Sequence, residues 1–112
     1  MRPYNGFSGE QREEYGRLLK LEIKKGTIPP PRKCQRCGQT EGIMQYHTED
    51  YTLPVRKEVL EPICWRCHMV HHSTHRAPAA CARYWKQIAE GVKFKPAYRH
   101  DFKILKDQHG IA

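Results

Sequence analysis

The residues of this chain that are best suited to chemistry are four cysteines, which form two Cys-x-x-Cys pairs. The pairs are Cys34 with Cys37, followed by Gly38, and Cys64 with Cys67. Two intervening residues allow both sulfurs of a pair to point into one tetrahedral site, and four thiolates make a closed structural Zn²⁺ site. Binding free energy at such a site becomes folding free energy, on the order of 10 kcal/mol. We therefore predict a structural zinc held by these four cysteines.

Three histidines are candidates for a second metal site. His68 and His72 are four residues apart, directly after the second cysteine pair. A helix places both on one face, close enough to bind one ion. His47 lies on a predicted hairpin, which returns against this helix if the zinc joins both cysteine pairs. We therefore expect His47 to approach His68 and His72.

The sequence leaves other interpretations of these residues open. The cysteine pairs could instead be redox-active or buried free thiols. The histidines could be surface or hydrogen-bonding groups, which is the favoured interpretation of His71 and His75. The fifth cysteine, Cys81, fits a buried thiol on a helix face rather than a fifth metal ligand.

The elements expected to position these groups define an α+β fold. Ser8 and Gln11 have the spacing of a capping box, and Gly26 follows a basic turn, so a helix is expected between them. The predicted elements, in chain order, are a helix over 9–25, strands over 43–47 and 59–63, a helix from near Cys67 through His72, and a helix from Pro78 to Gly91.

Length and composition limit the class of protein. The 112 residues suit one compact domain in three segments: an N-terminal arm, helix and Pro-rich spacer (1–33), a zinc-bound core (34–77), and a C-terminal helix with a basic tail (78–112). Only 38% of the residues are hydrophobic, so a metal would strengthen a lean core. No stretch approaches the roughly 18 apolar residues of a membrane span. The N-terminus has no apolar signal segment, so we expect a reducing, cytoplasmic location, or the host cytoplasm for a phage-encoded chain.

Positive charge is concentrated outside the cysteine- and histidine-rich middle. The formal net charge is +8, and residues 34–77 carry five basic and five acidic side chains, so both flanks are basic. Such flanks attract a polyanion, with a solubilising surface as the alternative, and charge alone does not choose among DNA, RNA and an acidic protein. A protein partner also stays open. The basic residues predicted to contact phosphates are Lys24, Lys25, Arg32, Lys33, Arg56, Lys57 and Arg76.

One run of about 39 residues combines these features. It reads Cys34-x-x-Cys37-Gly38, then His47-x-Glu49-Asp50-Tyr51, then Leu60-Glu61-Pro62-Ile63-Cys64-x-x-Cys67-His68-x-x-x-His72. The run resembles the HNH, or His-Me finger, endonucleases of the zinc-bearing treble-clef type, including small phage-encoded members. Neither flank contributes to the resemblance.

The resemblance implies a ββα unit around a divalent metal, Mg²⁺ or Mn²⁺, which acts as a Lewis acid on a phosphodiester. Carried over, His47 is the general base or a third ligand, and His68 and His72 hold the metal. His47 and His72 are thus the catalytic histidines. Glu49 or Asp50 is the candidate to complete the metal shell, and Asp50 is the one we assign.

Two positions depart from the family pattern and keep two functions open. Thr48 stands where many relatives have a second histidine. Val59 stands at the position of the family's asparagine, and Asn5 is the chain's one asparagine. The first hypothesis is a metal-dependent DNA endonuclease or nickase. The alternative is a catalytically inactive, HNH-derived zinc module that binds nucleic acid or a host protein, such as a phage regulator or inhibitor.

Overall fold

The computed structural model describes residues 1–98, which form an α+β fold with three α-helices and one two-stranded sheet. The elements are α1 (Gly9–Lys25), β1 (Met44–His47), β2 (Glu61–Cys64), α2 (Trp65–Ser73) and α3 (Pro78–Ala89), with a 3-10 turn at Lys57–Val59 before β2. The predicted α+β class is confirmed. The rest of the predicted basic tail, residues 99–112, lies outside the described residues. None of the described helices has the length and apolarity needed to cross a membrane.

Helix α1 begins and ends at the predicted residues. The Ser8 hydroxyl accepts the backbone N–H of Gln11 (3.1 Å), and the Gln11 side chain accepts that of Ser8 (2.7 Å). Both halves of the capping box are thus formed. Gly26 ends the helix with a φ of 86°, a left-handed conformation that glycine adopts without a steric penalty.

The chain divides into two compact units. The first comprises Met1–Pro30 and Tyr46–Glu61, and the second comprises Pro31–Gln45 and the described residues from Pro62 onward. The core of the first unit centres on Tyr15, Ile28 and Leu60. Residues packed against that core are Leu19, Ile23, Tyr46, Tyr51 and Val55.

The core of the second unit is built largely from cysteine. Its buried residues are Cys34, Ile63, Cys64, Cys67 and Tyr84. Partly buried apolar side chains pack against them: Cys37, Met44, Val70, Trp85, Ile88 and Phe94. Ile63 is the one aliphatic side chain among these buried residues, so the cysteine side chains form most of this core. Cys81 is buried on α3, as predicted, and its Sγ lies 3.5 Å from the Val70 carbonyl oxygen.

The sheet and α2 differ slightly from their predicted bounds. Trp65, just after β2, donates its N–H to Ile43, just before β1 (3.1 Å), so the strands are antiparallel. Strand β2 begins two residues later than predicted because Lys57–Val59 forms the 3-10 turn. Helix α2 begins at Trp65 rather than near Cys67, because Cys64 is its N-cap and the Cys64 sulfur accepts the Cys67 N–H.

Candidate functional site

The four predicted cysteines lie together in the second unit. Their Sγ atoms are all within 4.8 Å of one another, and those of Cys37 and Cys64 are 3.8 Å apart. A tetrahedral ion with metal–sulfur bonds of about 2.3 Å has sulfur–sulfur edges of about 3.8 Å. All four cysteines are free thiols rather than disulfides. The cluster is therefore compatible with a structural metal ion.

The local backbone of each Cys-x-x-Cys pair points a donor at sulfur. The N–H of Cys37 lies 3.4 Å from Cys34 Sγ, and the N–H of Cys67 lies 3.4 Å from Cys64 Sγ. Gly38 follows with a φ of 80° and returns its N–H to the Cys34 carbonyl (2.9 Å). A left-handed residue is required for this turn, which explains the glycine. Backbone donors of this kind favour the thiolate form that a metal requires.

Electrostatics differ among the sulfurs. A hydrogen bond from the Cys67 side chain lowers the pKa of Cys64 and raises that of Cys67. Burial raises the pKa of Cys37 to about 11. Cys34, Cys64 and Cys67 are at most 1% exposed, so only the edge of the cluster at Cys37 faces solvent.

Tyr84, which was not among the predicted site residues, contacts the cysteine cluster. The Tyr84 hydroxyl on α3 lies 3.1 Å from Cys67 Sγ. Burial and this contact raise the pKa of Tyr84, so the phenol remains protonated and donates to the sulfur. Tyr84 stands three residues after Cys81, one helical turn along α3, which is the one sequence signal that could have indicated it.

The two helix histidines are directly adjacent on α2. Their Nε2 atoms are 3.0 Å apart, and the ring centroids are 4.7 Å apart. The Gln45 side-chain oxygen lies 2.6 Å from Nδ1 of His68 and accepts its N–H. In the neutral ring, Nε2 of His68 then bears the lone pair, and this atom points toward His72. Two cis ligands bound at about 2.1 Å would lie about 3.0 Å apart, so the pair has the spacing of octahedral metal ligands.

His47 ends β1 in the first unit and is only 4% exposed. Its Nε2 lies 2.8 Å from Oε1 of Glu49. The other carboxylate oxygen of Glu49 accepts the Tyr4 hydroxyl (2.6 Å), and the Glu49 carbonyl accepts the Asn5 side-chain amide (2.7 Å). Tyr4 and Asn5 were not among the predicted site residues. Burial of the Tyr4 phenol and its bond to Glu49 raise the pKa of Tyr4 to about 12.

Asp50 and Thr48 shape the loop after β1. Asp50 accepts the Thr52 N–H (2.9 Å) and pairs with Arg56 (3.0 Å), and hydrogen bonds from Thr52 hold the pKa of this carboxyl below its usual range. Among the described residues, the clusters of potential metal ligands do not include Asp50. Thr48, which is 6% exposed, exchanges hydrogen bonds with the Asp50 backbone, so its hydroxyl is occupied.

The predicted phosphate-contacting residues are exposed in both units. Lys24, Lys25, Arg56 and Lys57 belong to the first unit, and Arg32, Lys33 and Arg76 belong to the second. Lys25 lies 3.7 Å from Glu22, and Arg56 pairs with Asp50, so these two are partly neutralised. Arg32 and Lys33 directly precede Cys34 in the sequence.

No protein-family model, curated protein or solved structure matches the chain. Its cysteine and histidine geometry therefore carries the functional proposal.

Proposed function

We propose that the chain is an HNH-like DNA endonuclease or nickase, with a structural Zn²⁺ in a treble-clef-type cysteine site and a catalytic Mg²⁺ or Mn²⁺. The observation that carries this proposal is the His68–His72 pair, whose nitrogens have ligand spacing on the helix that the cysteine pair begins. Metal-assisted phosphodiester hydrolysis needs this combination of a rigid scaffold and an ion site.

Zinc is the metal proposed for the cysteine cluster. Thiolate ligands select zinc, copper(I) or iron–sulfur clusters, and four sulfurs within 4.8 Å of one another suit one tetrahedral ion. Cys34 and Cys37 would hold the zinc from the turn that Gly38 follows. Cys64 and Cys67 would hold it from the junction of β2 and α2. The ion would then fix α2, and with it the two helix histidines.

The catalytic ion is assigned to His68 and His72. Gln45 fixes the tautomer of His68 from outside the ligand set, as the hydrogen-bond partners of metal-binding histidines commonly do. Gln45 and His47 stand two residues apart on β1, so their side chains leave the same face of the strand. When bound, a divalent ion there supplies Lewis-acid stabilisation of charge on the scissile phosphate.

His47 is assigned as the general base. Imidazole is the side chain suited to take a proton near neutral pH. In the proposed step, water attacks phosphorus, His47 takes the proton of that water, and the bond from phosphorus to the 3′ oxygen breaks with its electrons on that oxygen. Thr48 cannot share this role because its hydroxyl is bonded to the Asp50 backbone. Thr48 therefore supports the loop that follows the base.

Nicking of supercoiled plasmid tests the assignment. We expect the purified protein to convert supercoiled to open-circular DNA with Mg²⁺ or Mn²⁺ in a series that also includes Ni²⁺ and Zn²⁺. His47→Ala and His72→Ala should abolish conversion, whereas His75→Ala, at an exposed position after α2, should retain it. Nicking that persists unchanged in both His47→Ala and His72→Ala overturns the assigned site.

A non-catalytic zinc module is the second candidate function. The observation favouring it is that the two departing positions carry no polar side chain free for catalysis: Thr48 is buried in its loop, and Val59 is an apolar residue in the 3-10 turn. Such a module would bind DNA with strong salt dependence, or would bind a protein. It would not cleave DNA with any metal of the series. The same plasmid assay, joined to a binding assay, separates the two functions.

A further inference from the structure

The N-terminal turn and the loop after β1 form one hydrogen-bonded network within the first unit. Glu49 is at its centre, because both of its carboxylate oxygens and its backbone carbonyl are engaged. Oε1 contacts Nε2 of His47 (2.8 Å), Oε2 accepts the Tyr4 hydroxyl (2.6 Å), and the carbonyl accepts the Asn5 amide (2.7 Å). Residues more than forty positions apart in sequence thus fix one carboxylate.

The turn that presents Tyr4 and Asn5 is itself well defined. Tyr4 and Phe7 exchange backbone hydrogen bonds, both of 2.9 Å. Asn5 and Gly6 between them have φ values of 53° and 84°. Two successive left-handed residues are typical of a type I′ turn, for which Asn-Gly is the preferred sequence. The backbone of Asn5 therefore forms part of the turn, and its side chain donates a hydrogen bond to the Glu49 carbonyl.

Arg12 on α1 contacts the ring of Tyr4. Its guanidinium lies 5.0 Å from the Tyr4 ring centroid and 5.1 Å from that of Tyr51. It also donates to the Arg2 carbonyl (2.7 Å) and to the Tyr51 hydroxyl (3.2 Å). The phenol that anchors Glu49 is therefore positioned by helix α1 as well as by the turn.

We propose that Glu49, anchored by Tyr4 and Asn5, is the positioning residue that sets the tautomer and ring orientation of His47. This inference rests on the proposed function, in which His47 is the base. A carboxylate at Nε2 requires the N–H there, so Nδ1 of the neutral ring bears the lone pair. Nδ1 is then the atom that takes the proton from water.

The same contact offsets the charge that the base acquires. His47 is almost fully buried, and a buried imidazolium is costly unless a partner compensates its charge. When Nδ1 takes a proton, Nε2 keeps its own and stays bonded to Glu49, so no proton passes to the carboxylate. The hydrogen bonds from Tyr4 and Asn5 restrict the conformations of Glu49, whose half-exposed side chain would otherwise populate several rotamers.

Nitrogen-15 NMR of histidine-labelled, zinc-loaded protein tests the inference without reference to activity. We expect His47 to be in the Nε2–H form in the wild type and to lose this preference in Glu49→Ala. Glu49→Gln keeps a side-chain oxygen that can accept the N–H and should restore the preference. Glu58→Ala, at an exposed carboxylate of the same unit, is the matched control and should leave the His47 signals unchanged.

Kinetics add a second readout. Glu49→Ala should lower kcat for nicking by about 10–100-fold with little change in KM, as found for partners that orient ligands and bases, and Glu49→Gln should recover part of that loss. An unchanged His47 tautomer in Glu49→Ala overturns the inference, whatever the activity. A wild-type protein that does not nick overturns the proposed function instead, while the NMR comparison still decides whether Glu49 sets the tautomer.

Discussion

The Tyr84 hydroxyl donates a hydrogen bond to Cys67 Sγ at 3.1 Å and thereby ties helix α3 to the cysteine cluster. The Tyr84 ring also stacks on Phe94, with centroids 5.2 Å apart, and meets Trp85 edge-on at 4.9 Å. A donor to a metal-bound thiolate reduces the negative charge that four sulfurs bring to one ion. Tyr84 therefore contributes to the packing of the second unit and to the electrostatics of its proposed zinc site.

Replacing Tyr84 by Phe should separate these two contributions. The ring contacts remain, while the buried sulfur loses its donor, at a cost of about 1–2 kcal/mol in the free energy of unfolding. We also expect zinc to transfer roughly 10-fold faster to a chelator. Urea unfolding and chelator competition measure the two effects.

Tyr98→Phe is the control for that experiment, because the Tyr98 hydroxyl contacts the exposed Glu41 (2.9 Å) rather than a sulfur. It should change neither quantity appreciably. Equal rates of zinc transfer in wild type and Tyr84→Phe would show that the hydroxyl does not influence the metal.

The titration of Tyr4 gives a prediction about pH. Tyrosine in an unfolded chain titrates near pH 10, whereas burial and the Glu49 bond raise the pKa of Tyr4 to about 12. The stabilising contribution of the protonated phenol is thus complete below about pH 10 and is lost as the pH rises through about 12. Carbon-13 NMR of the Tyr4 ring should show the late midpoint, and Glu49→Ala should lower it.

Glu41→Ala removes a carboxylate that accepts a different tyrosine hydroxyl, so it should leave the Tyr4 midpoint where it was. A wild-type Tyr4 that titrates near pH 10 would be incompatible with the network around Glu49.

The basic residues beside the cysteine cluster should govern the salt dependence of DNA binding. Each phosphate contact contributes a slope of about −0.9 to the logarithmic plot of affinity against salt concentration. If Arg32 and Lys33 each contact a phosphate, the double variant Arg32→Ala/Lys33→Ala should lower the magnitude of the slope by about 2. Fluorescence anisotropy with a labelled duplex across a salt series measures it.

Arg17→Ala is the matched control, because Arg17 is exposed on α1 and already paired with Glu14 (2.5 Å). Its slope should equal that of the wild type. An unchanged slope in the double variant would remove Arg32 and Lys33 from the proposed DNA contact.

Features that depend on residues close together in the sequence were predicted correctly. Ser8, Gln11 and Gly26 placed both ends of α1, because capping groups act within a few residues. The spacing within each Cys-x-x-Cys pair likewise predicted the cluster that Cys34 and Cys64 share with their partners. In both cases the residue types have few other uses at that spacing.

Contacts between distant segments could not be predicted in the same way. Asn5 lay outside every motif, and only the folded first unit brings it to the Glu49 carbonyl. Tyr84 reaches Cys67 across 17 residues through the packing of α3. The start of α2 was misplaced because a cysteine cap at Cys64 is not a standard helix-start signal.

The most direct test of the account is X-ray absorption at the zinc edge, with metal analysis of the purified protein. We predict one zinc per chain with four sulfur neighbours at about 2.3 Å. Cys64→Ser should lose the zinc and unfold, whereas Cys81→Ser, at a buried thiol outside the cluster, should keep it. A protein that is folded without metal, or a zinc surrounded by nitrogen or oxygen rather than four sulfurs, would contradict the account.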